Sequence, residues 1–380
     1  MHPPLYFDNN ATTLPASEVT SALKHVMHSP LNPSARHRYG QTARALMESA
    51  RIDIAKHFSC HAKELIWTSG ATEGLNLTLR CLAATHKTPG EIVTSAMEHT
   101  ATLQTLTFLE NQGWRIRFLP STSDGLHDLD QVKKAITPDT KMIVLMACNN
   151  ETGVIQPVEQ VANLLSQEFP HIDFIVDAVA AFTKMPLSFY KGVRAMVFSG
   201  HKFHALGGSG FALMRNIAEL TPFLFGGGQE YGVRCGTVNM AGVLSLHAAT
   251  SLFISSSRIS EMTALRNRFE ELVHKRIPDV LVNGALEHRC ANTSNLYFPD
   301  VDAESLLIAL ERFGIYASQG SACASGLHQS SHVLRSMGFD LERLQGSIRF
   351  SFSRYTTSDE ITQAVEILAR EVKQHRCSPI

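Results

Sequence analysis

From about residue 64 to 215, short β-rich runs alternate with helical patterns, and this alternation limits the possible folds more than any other feature of the chain. The runs 65–68, 92–94, 116–119, 142–145, 174–176, 195–198 and 211–214 read as strands, and the stretches near 72–86, 100–112, 128–136 and 157–169 read as helices. Strands joined through helices run mostly parallel, because a parallel pair needs a long crossover. The expected architecture is therefore α/β, a mostly parallel sheet covered by helices, with ligands gathering at the carboxyl ends of the strands.

The pattern changes after Gly226-Gly227-Gly228. A helical stretch over about 241–277 leads into a shorter mixed region with a strand run at 295–298, a helix near 303–313 and a second run at 347–350. The expected division is a large domain over 14–257 and a smaller α+β domain built from 1–13 and 258–380. No internal repeat or low-complexity linker interrupts it.

At 380 residues, with 44% hydrophobic and 18% charged residues, the chain can bury a substantial core. A formal net charge of -1 gives no bulk attraction to nucleic acid or to an anionic membrane surface, so neither is an expected partner. The first residues carry Asp8 and its neighbouring asparagines where a secretion signal has a basic and then an apolar stretch, so the expected location is cytoplasmic. The seven cysteines include no Cys-x-x-Cys pair and read as reduced, mostly small buried apolar residues.

Three segments near expected strand ends combine small residues, hydroxyls and one ionisable group. Thr68-Ser69-Gly70-Ala71-Thr72-Glu73 opens a helix, where free amides and the helix dipole suit a phosphate. Ile175-Val176-Asp177-Ala178 ends an apolar run in a carboxylate, which can pair with a protonated pyridine nitrogen. Phe198-Ser199-Gly200-His201-Lys202 ends another in a lysine, which can bond an aldehyde and later move a proton. Singly these are also an ordinary helix cap, a turn-capping aspartate and a surface lysine. Within one α/β unit they converge on one ligand, pyridoxal 5'-phosphate. Nucleotide motifs fail: no Gly-x-x-x-x-Gly-Lys-Ser/Thr occurs, and the dinucleotide pattern starting at Gly226 breaks at Tyr231.

These segments, in this order, resemble the cysteine desulfurases, fold-type I enzymes of the class-V aminotransferase-like branch that use pyridoxal phosphate. The likeness extends from Tyr6-Phe7-Asp8-Asn9-Asn10-Ala11-Thr12-Thr13 through Glu98-His99, Asn149-Asn150-Glu151-Thr152-Gly153 and Arg234-Cys235-Gly236-Thr237 to Gly320-Ser321-Ala322-Cys323-Ala324-Ser325 and Ser347-Ile348-Arg349-Phe350-Ser351. The resemblance implies that Lys202 bonds the cofactor aldehyde, that Asp177 pairs with the ring nitrogen, and that His99 stacks on the ring and helps move protons. It further implies that Ala71, Thr72, Ser199 and His201 hold the phosphate, joined by Thr237 from the partner subunit of a homodimer. Asn150 and Arg349 would receive the carboxylate of L-cysteine, and Cys323, in a small-residue segment expected to be exposed and mobile, would take up the sulfur as a persulfide. L-alanine would leave, and the sulfur would pass to an acceptor protein such as an iron-sulfur scaffold or another thiol carrier.

The chain departs from the family pattern at Ala180, where a glutamine amide usually bonds the cofactor's phenolic oxygen, in the run Phe203-His204-Ala205-Leu206 after Lys202, and at Tyr231, where an arginine is common. Alternative expectations are a selenocysteine lyase or aminotransferase of the same fold, and a catalytically weakened sulfur-relay paralogue. No metal is expected. The cluster His57-Phe58-Ser59-Cys60-His61, which could align three ligands on a helix face, and the pair His201 and His204 form the only case for one.

Overall fold

Seven strands make the central sheet of the computed structural model, which describes residues 4–255, 258–320 and 331–377. In chain order the first part runs β1 (Leu5–Tyr6), α1 (Ser17–Val26), α2 (Arg38–His57), β2 (Leu65–Thr68), α3 (Ala71–Thr85), β3 (Glu91–Thr94), α4 (Thr100–Glu110) and β4 (Arg115–Phe118). It continues with α5 (Leu129–Ala135), β5 (Thr140–Met146), α6 (Val158–Glu168), β6 (Asp173–Asp177), β7 (Ala195–Ser199) and β8 (Gly210–Met214). The order across the sheet is β2-β8-β7-β6-β5-β3-β4. Each strand from β7 to β4 runs parallel to its neighbour, while β8 runs antiparallel to both β7 and β2. The mostly parallel α/β expectation therefore holds with one reversed strand inserted.

Both faces of the sheet are covered, as a parallel sheet requires. Phe174, Val176, Phe198 and Phe211 pack on one side with Ala43, Ala50 and Ile54 of α2. Ile175, Val144, Ile92 and Ala212 pack on the other with Leu75, Leu79 and Leu82 of α3. Successive residues of β6 thus serve opposite cores, the period-two geometry of a strand.

The expected helical stretch over 241–277 is two helices, α7 (Met240–Ser255) and α8 (Ile259–Arg276). Beyond them come β9 (Leu281–Val282), β10 (Thr293–Tyr297), α9 (Ala303–Glu311), β11 (Ile315–Tyr316), α10 (His332–Ser336), α11 (Leu341–Gln345), β12 (Ser347–Ser351) and α12 (Ser358–Cys377). A three-stranded antiparallel sheet, β12-β10-β9, and the parallel pair β1-β11 surround a separate core of Phe7, Phe269, Phe298, Phe350 and Phe352 with Val365 and Leu368 of α12. The first residues belong to this core: Leu5 pairs with Ile315, and Asp8 bridges to Ser351.

Candidate active site

All carboxyl ends of the parallel strands β7, β6, β5 and β3 point to one edge, and β2 ends there too because the reversed β8 lies between it and β7. A cavity of about 310 Å³ lies at that edge, lined among others by Ala71, Thr72, His99, Asn150, Asp177, Ala180, Ser199, His201, Lys202 and Arg349. The chain order of most motifs becomes a spatial cluster because they follow the ends of strands in the same sheet, while Arg349 reaches the cavity from β12 of the small sheet. Thr237 is the exception. It is exposed and lines a smaller adjoining pocket with Ser69, Gly208 and Arg234. Cys323 lies outside the described residues.

At one end of the cavity α3 begins without a side-chain cap, since its N-cap residue is Gly70. The φ of 152° at Gly70 suits glycine and lets the chain turn sharply from β2 into the helix. The first-turn amides and the positive end of the helix dipole therefore face the cavity with no capping side chain in front of them. Glu73, also on the wall, is neutralised: Arg234 Nε and Nη2 donate to its carboxylate at 2.6 and 3.1 Å. That fork and the Ser69 donors hold its pKa low despite the burial that opposes them.

Asp177 ends β6 with 5% exposure, and its Oδ1 accepts from the Val179 amide at 2.9 Å. Burial pushes its pKa up, against the opposing effects of that amide and of nearby His99 and Lys202. Such a carboxylate gains stabilisation from a cation placed beside it. Lys202 Nζ donates to the backbone carbonyls of Asn10 and Ala11 at 2.6 and 2.7 Å, so the N-terminal segment aims the lysine. Its own carbonyl accepts from the buried Lys184 Nζ at 3.0 Å.

His99 caps α4, its Nδ1 accepting the Ala101 amide at 3.1 Å, which leaves the proton of the neutral ring on Nε2. Burial lowers its pKa, and the nearby Lys202 adds to the effect. The preceding Glu98 is fully buried, with Oε1 accepting the Met146 amide at 2.9 Å and Oε2 without a hydrogen-bond partner among the described residues. Burial drives its pKa well up, with a smaller push from the nearby Asp177. His201, whose Nδ1 is 3.2 Å from Thr12 Oγ1, is pulled down to about 4 by burial and by the charges of Lys202 and Lys184.

At the opposite end Arg349 is 1% exposed. Its Nη2 donates to Asp8 Oδ1 at 2.6 Å and its Nη1 to the Asn150 carbonyl at 3.2 Å, while Nε has no partner among the described residues. Asn10 ties this end together: its side-chain amide donates to the Asn150 carbonyl and to Thr293 Oγ1 at 3.0 and 2.8 Å, and its Oδ1 accepts from Asn292 at 3.0 Å. Lys184 and the individual role of Asn10 were not singled out by sequence reasoning. A lysine at the end of the apolar run Ala178–Phe182 is the one sequence signal that could have marked Lys184.

The donor set fits pyridoxal phosphate: an uncapped helix start for the phosphate, a desolvated carboxylate for a protonated ring nitrogen, and a lysine between them. The metal alternative lacks its geometry. The helix α2 ends at His57 and Ser59 takes a left-handed φ of 53°, so His57, Cys60 and His61 share no helix face. Among the described residues no group of three or more metal-ligating side chains assembles. No helix among them is long and apolar enough to cross a membrane.

The class-V aminotransferase family model matches residues 5–364, and the chain belongs to that family. It is 36% identical over 376 residues to a cysteine desulfurase of Nostoc sp., covering 98% of this chain and 94% of the relative. It is 35% identical to the cysteine desulfurase IscS of Methanosarcina thermophila, with 98% and 93% covered. Among solved structures, a NifS-like protein superposes with a TM-score of 0.90 at 32% identity, over 98% of this chain and all of the other. A structure described as SspA in complex with cysteine gives 0.82 at 30% identity, covering 93% and 99%.

Proposed function

We propose that this chain is a pyridoxal-phosphate-dependent cysteine desulfurase, which converts L-cysteine to L-alanine and carries the released sulfur as a persulfide on Cys323. The observation that carries this reading is the meeting of Lys202, Asp177 and an uncapped helix start in one cavity closed at its other end by Arg349. Full-length relatives named as cysteine desulfurases support the choice of reaction.

Pyridoxal phosphate, when bound, supplies an electron-withdrawing ring that stabilises negative charge at the substrate Cα. Ala71, Thr72, Ser199 and His201 hold its phosphate, with Thr237 contributed to the partner's site in a homodimer. Asp177 keeps the ring nitrogen protonated. Lys202 would hold the cofactor at its aldehyde and would move the substrate Cα proton, and His99, whose Nδ1 accepts the Ala101 amide, would offer Nε2 for proton relay. Asn150 and the planar fork of Arg349 orient the substrate carboxylate. The Cys323 thiolate attacks the substrate sulfur. The new S–S bond forms as the carbon–sulfur bond breaks, and the carbon takes up a proton to become alanine. An acceptor protein in the cytoplasm, such as an iron-sulfur scaffold, then receives the sulfur.

The test uses purified holoenzyme, L-cysteine and a reducing thiol, with alanine and sulfide measured together. Equal amounts of both are expected, with Lys202→Ala losing the visible absorption of the lysine-bound cofactor and Cys323→Ala losing sulfide release while keeping that absorption. Undiminished turnover of a non-sulfur amino acid by Cys323→Ala would overturn the reading in favour of an aminotransferase.

A further inference from the structure

Two of the remaining cysteines flank Gly153, one of them, Cys148, on the cavity wall. Cys148 lies just beyond β5 and lines the cavity beside Lys184 and Asp177, and Cys290 lies three residues before β10. Both are reduced and 1% exposed. Gly153 brings them together: its carbonyl accepts from the Cys148 thiol at 3.5 Å and from the Cys290 amide at 2.8 Å. A β-carbon at Gly153 would stand 3.3 Å from the Cys290 sulfur, so the missing side chain leaves room for it. The Gly153 peptide thus has both cysteines against it, Cys148 through its thiol and Cys290 through its amide and sulfur. Cys290 Sγ also lies 3.3 Å from Thr293 Oγ1 and 3.4 Å from Asn292 Oδ1.

The third member is Lys184, 5% exposed, whose charge acts on both sulfurs while its Nζ holds the Lys202 carbonyl. The neighbouring Cys148, with help from Thr293, Asn292 and Lys184, pulls Cys290 down to about 6 and so eases its ionisation, while the same pairing and burial push Cys148 well up.

We propose that Cys148 and Cys290 form a redox-active dithiol, a modification site for hydrogen peroxide, which closes to a disulfide at the cavity wall. Peroxide is small and neutral and reaches Cys148 from the cavity side. As Cys148 passes its proton to Cys290 it attacks one peroxide oxygen, the O–O bond breaks, and hydroxide leaves a sulfenic acid on Cys148. The hydroxide takes the proton from Cys290, whose thiolate attacks the Cys148 sulfur and expels a second hydroxide. Overall one thiol, one thiolate and one hydrogen peroxide give a disulfide, one water and one hydroxide: two sulfurs are oxidised and the two peroxide oxygens reduced.

Closure changes the site on both sides. Cys148 is two residues from Asn150, and Cys290 is two from Asn292, which holds Asn10 and through it the carbonyl facing Lys202. Drawing the sulfurs from contact to a bond of about 2.05 Å pulls on both supports. The inference is independent of which amino acid the cavity takes.

The test treats wild-type holoenzyme with peroxide near one equivalent, blocks remaining thiols with N-ethylmaleimide under denaturing conditions, and maps peptides by mass. The expected result is a cross-linked pair carrying Cys148 and Cys290, two hydrogens lighter than the reduced pair, which dithiothreitol reverses. Cys148→Ser and Cys290→Ser should each lose that pair while oxidation of Cys323 is unchanged. Should either variant fail to fold, the wild-type map decides alone. Full alkylation of both residues at a peroxide dose that oxidises the exposed Cys377, or linkage of either to a third cysteine, overturns the proposal.

Discussion

Arg349 Nη2 lies 2.6 Å from Asp8 Oδ1, so the guanidinium proposed to receive the substrate carboxylate already carries a carboxylate of the protein. Asp8 offsets the cost of burying that cation in the free enzyme and fixes the guanidinium plane, leaving Nε, without a partner among the described residues, and part of Nη1 for a second carboxylate. Arg349→Lys keeps the charge and loses the fork. Its KM for L-cysteine should rise roughly tenfold with a much smaller change in kcat, read from steady-state alanine formation. Asp8→Asn should lower stability by about 3 kcal/mol in denaturant unfolding, because it strands a buried cation.

Acid should weaken the fold through His204. Its Nδ1 donates to the Leu14 carbonyl at 2.8 Å, and burial holds its pKa down to about 4. A histidine whose folded pKa is depressed is protonated first in the unfolded chain, so its stabilising contribution is complete above the unfolded value of about 6.5 and shrinks as pH falls toward 4. Thermal midpoints should therefore drop between pH 7 and pH 5, and His204→Gln should flatten that slope. An unchanged slope in the variant would remove His204 from the explanation.

Ala180 lines the cavity where the family pattern has glutamine. Ala180→Gln should add one hydrogen bond to the cofactor's phenolic oxygen. Such a bond contributes about 1 kcal/mol, roughly fivefold in cofactor affinity. Fluorescence or absorbance titration of the cofactor-stripped protein measures this directly, and the visible band of the loaded protein should shift with it.

Gly153 combines a φ of 77° with a position where a β-carbon would come within 2.8 Å of Thr293 Cβ. Gly153→Ala should cost about 1–3 kcal/mol in denaturant unfolding and slow oxidation of the Cys148–Cys290 pair. A stable variant with unchanged thiol chemistry would show that the turn tolerates a side chain.

The sheet was legible because its strands are short apolar runs between helices: the run expected over 174–176 becomes β6 with one residue added at each end. The reversal of β8 was not legible. A strand buried on both faces has the same composition in either direction, and only its antiparallel pairing reveals the reversal. The α2 helix carries a weaker signal, since its buried stripe includes Ala43, Ala50 and Ala55, which hardly stand out from a polar background.

In the site, Lys202 and Asp177 were legible because each ends an apolar run, and the sheet brings the ends together. Lys184 and the pairing of Cys148 with Cys290 were not, because their meaning lies in contacts between segments far apart in the chain. The expectation that the cysteines are reduced and mostly small buried apolar residues agrees with the burial of Cys81, Cys148, Cys235 and Cys290. Thr237 faces a neighbouring pocket of its own chain, beside Ser69 and Arg234.

The bond between Asp8 and Arg349 spans 341 positions. During synthesis Lys202, Asp177 and the start of α3 all leave the ribosome long before β12 does. The N-terminal segment that aims Lys202 must wait, unpaired on its small-sheet side, for almost the whole chain to arrive. The proposed cofactor pocket is thus completed late, and a nascent chain stalled before residue 349 would have its lysine but not the arginine proposed to receive a carboxylate.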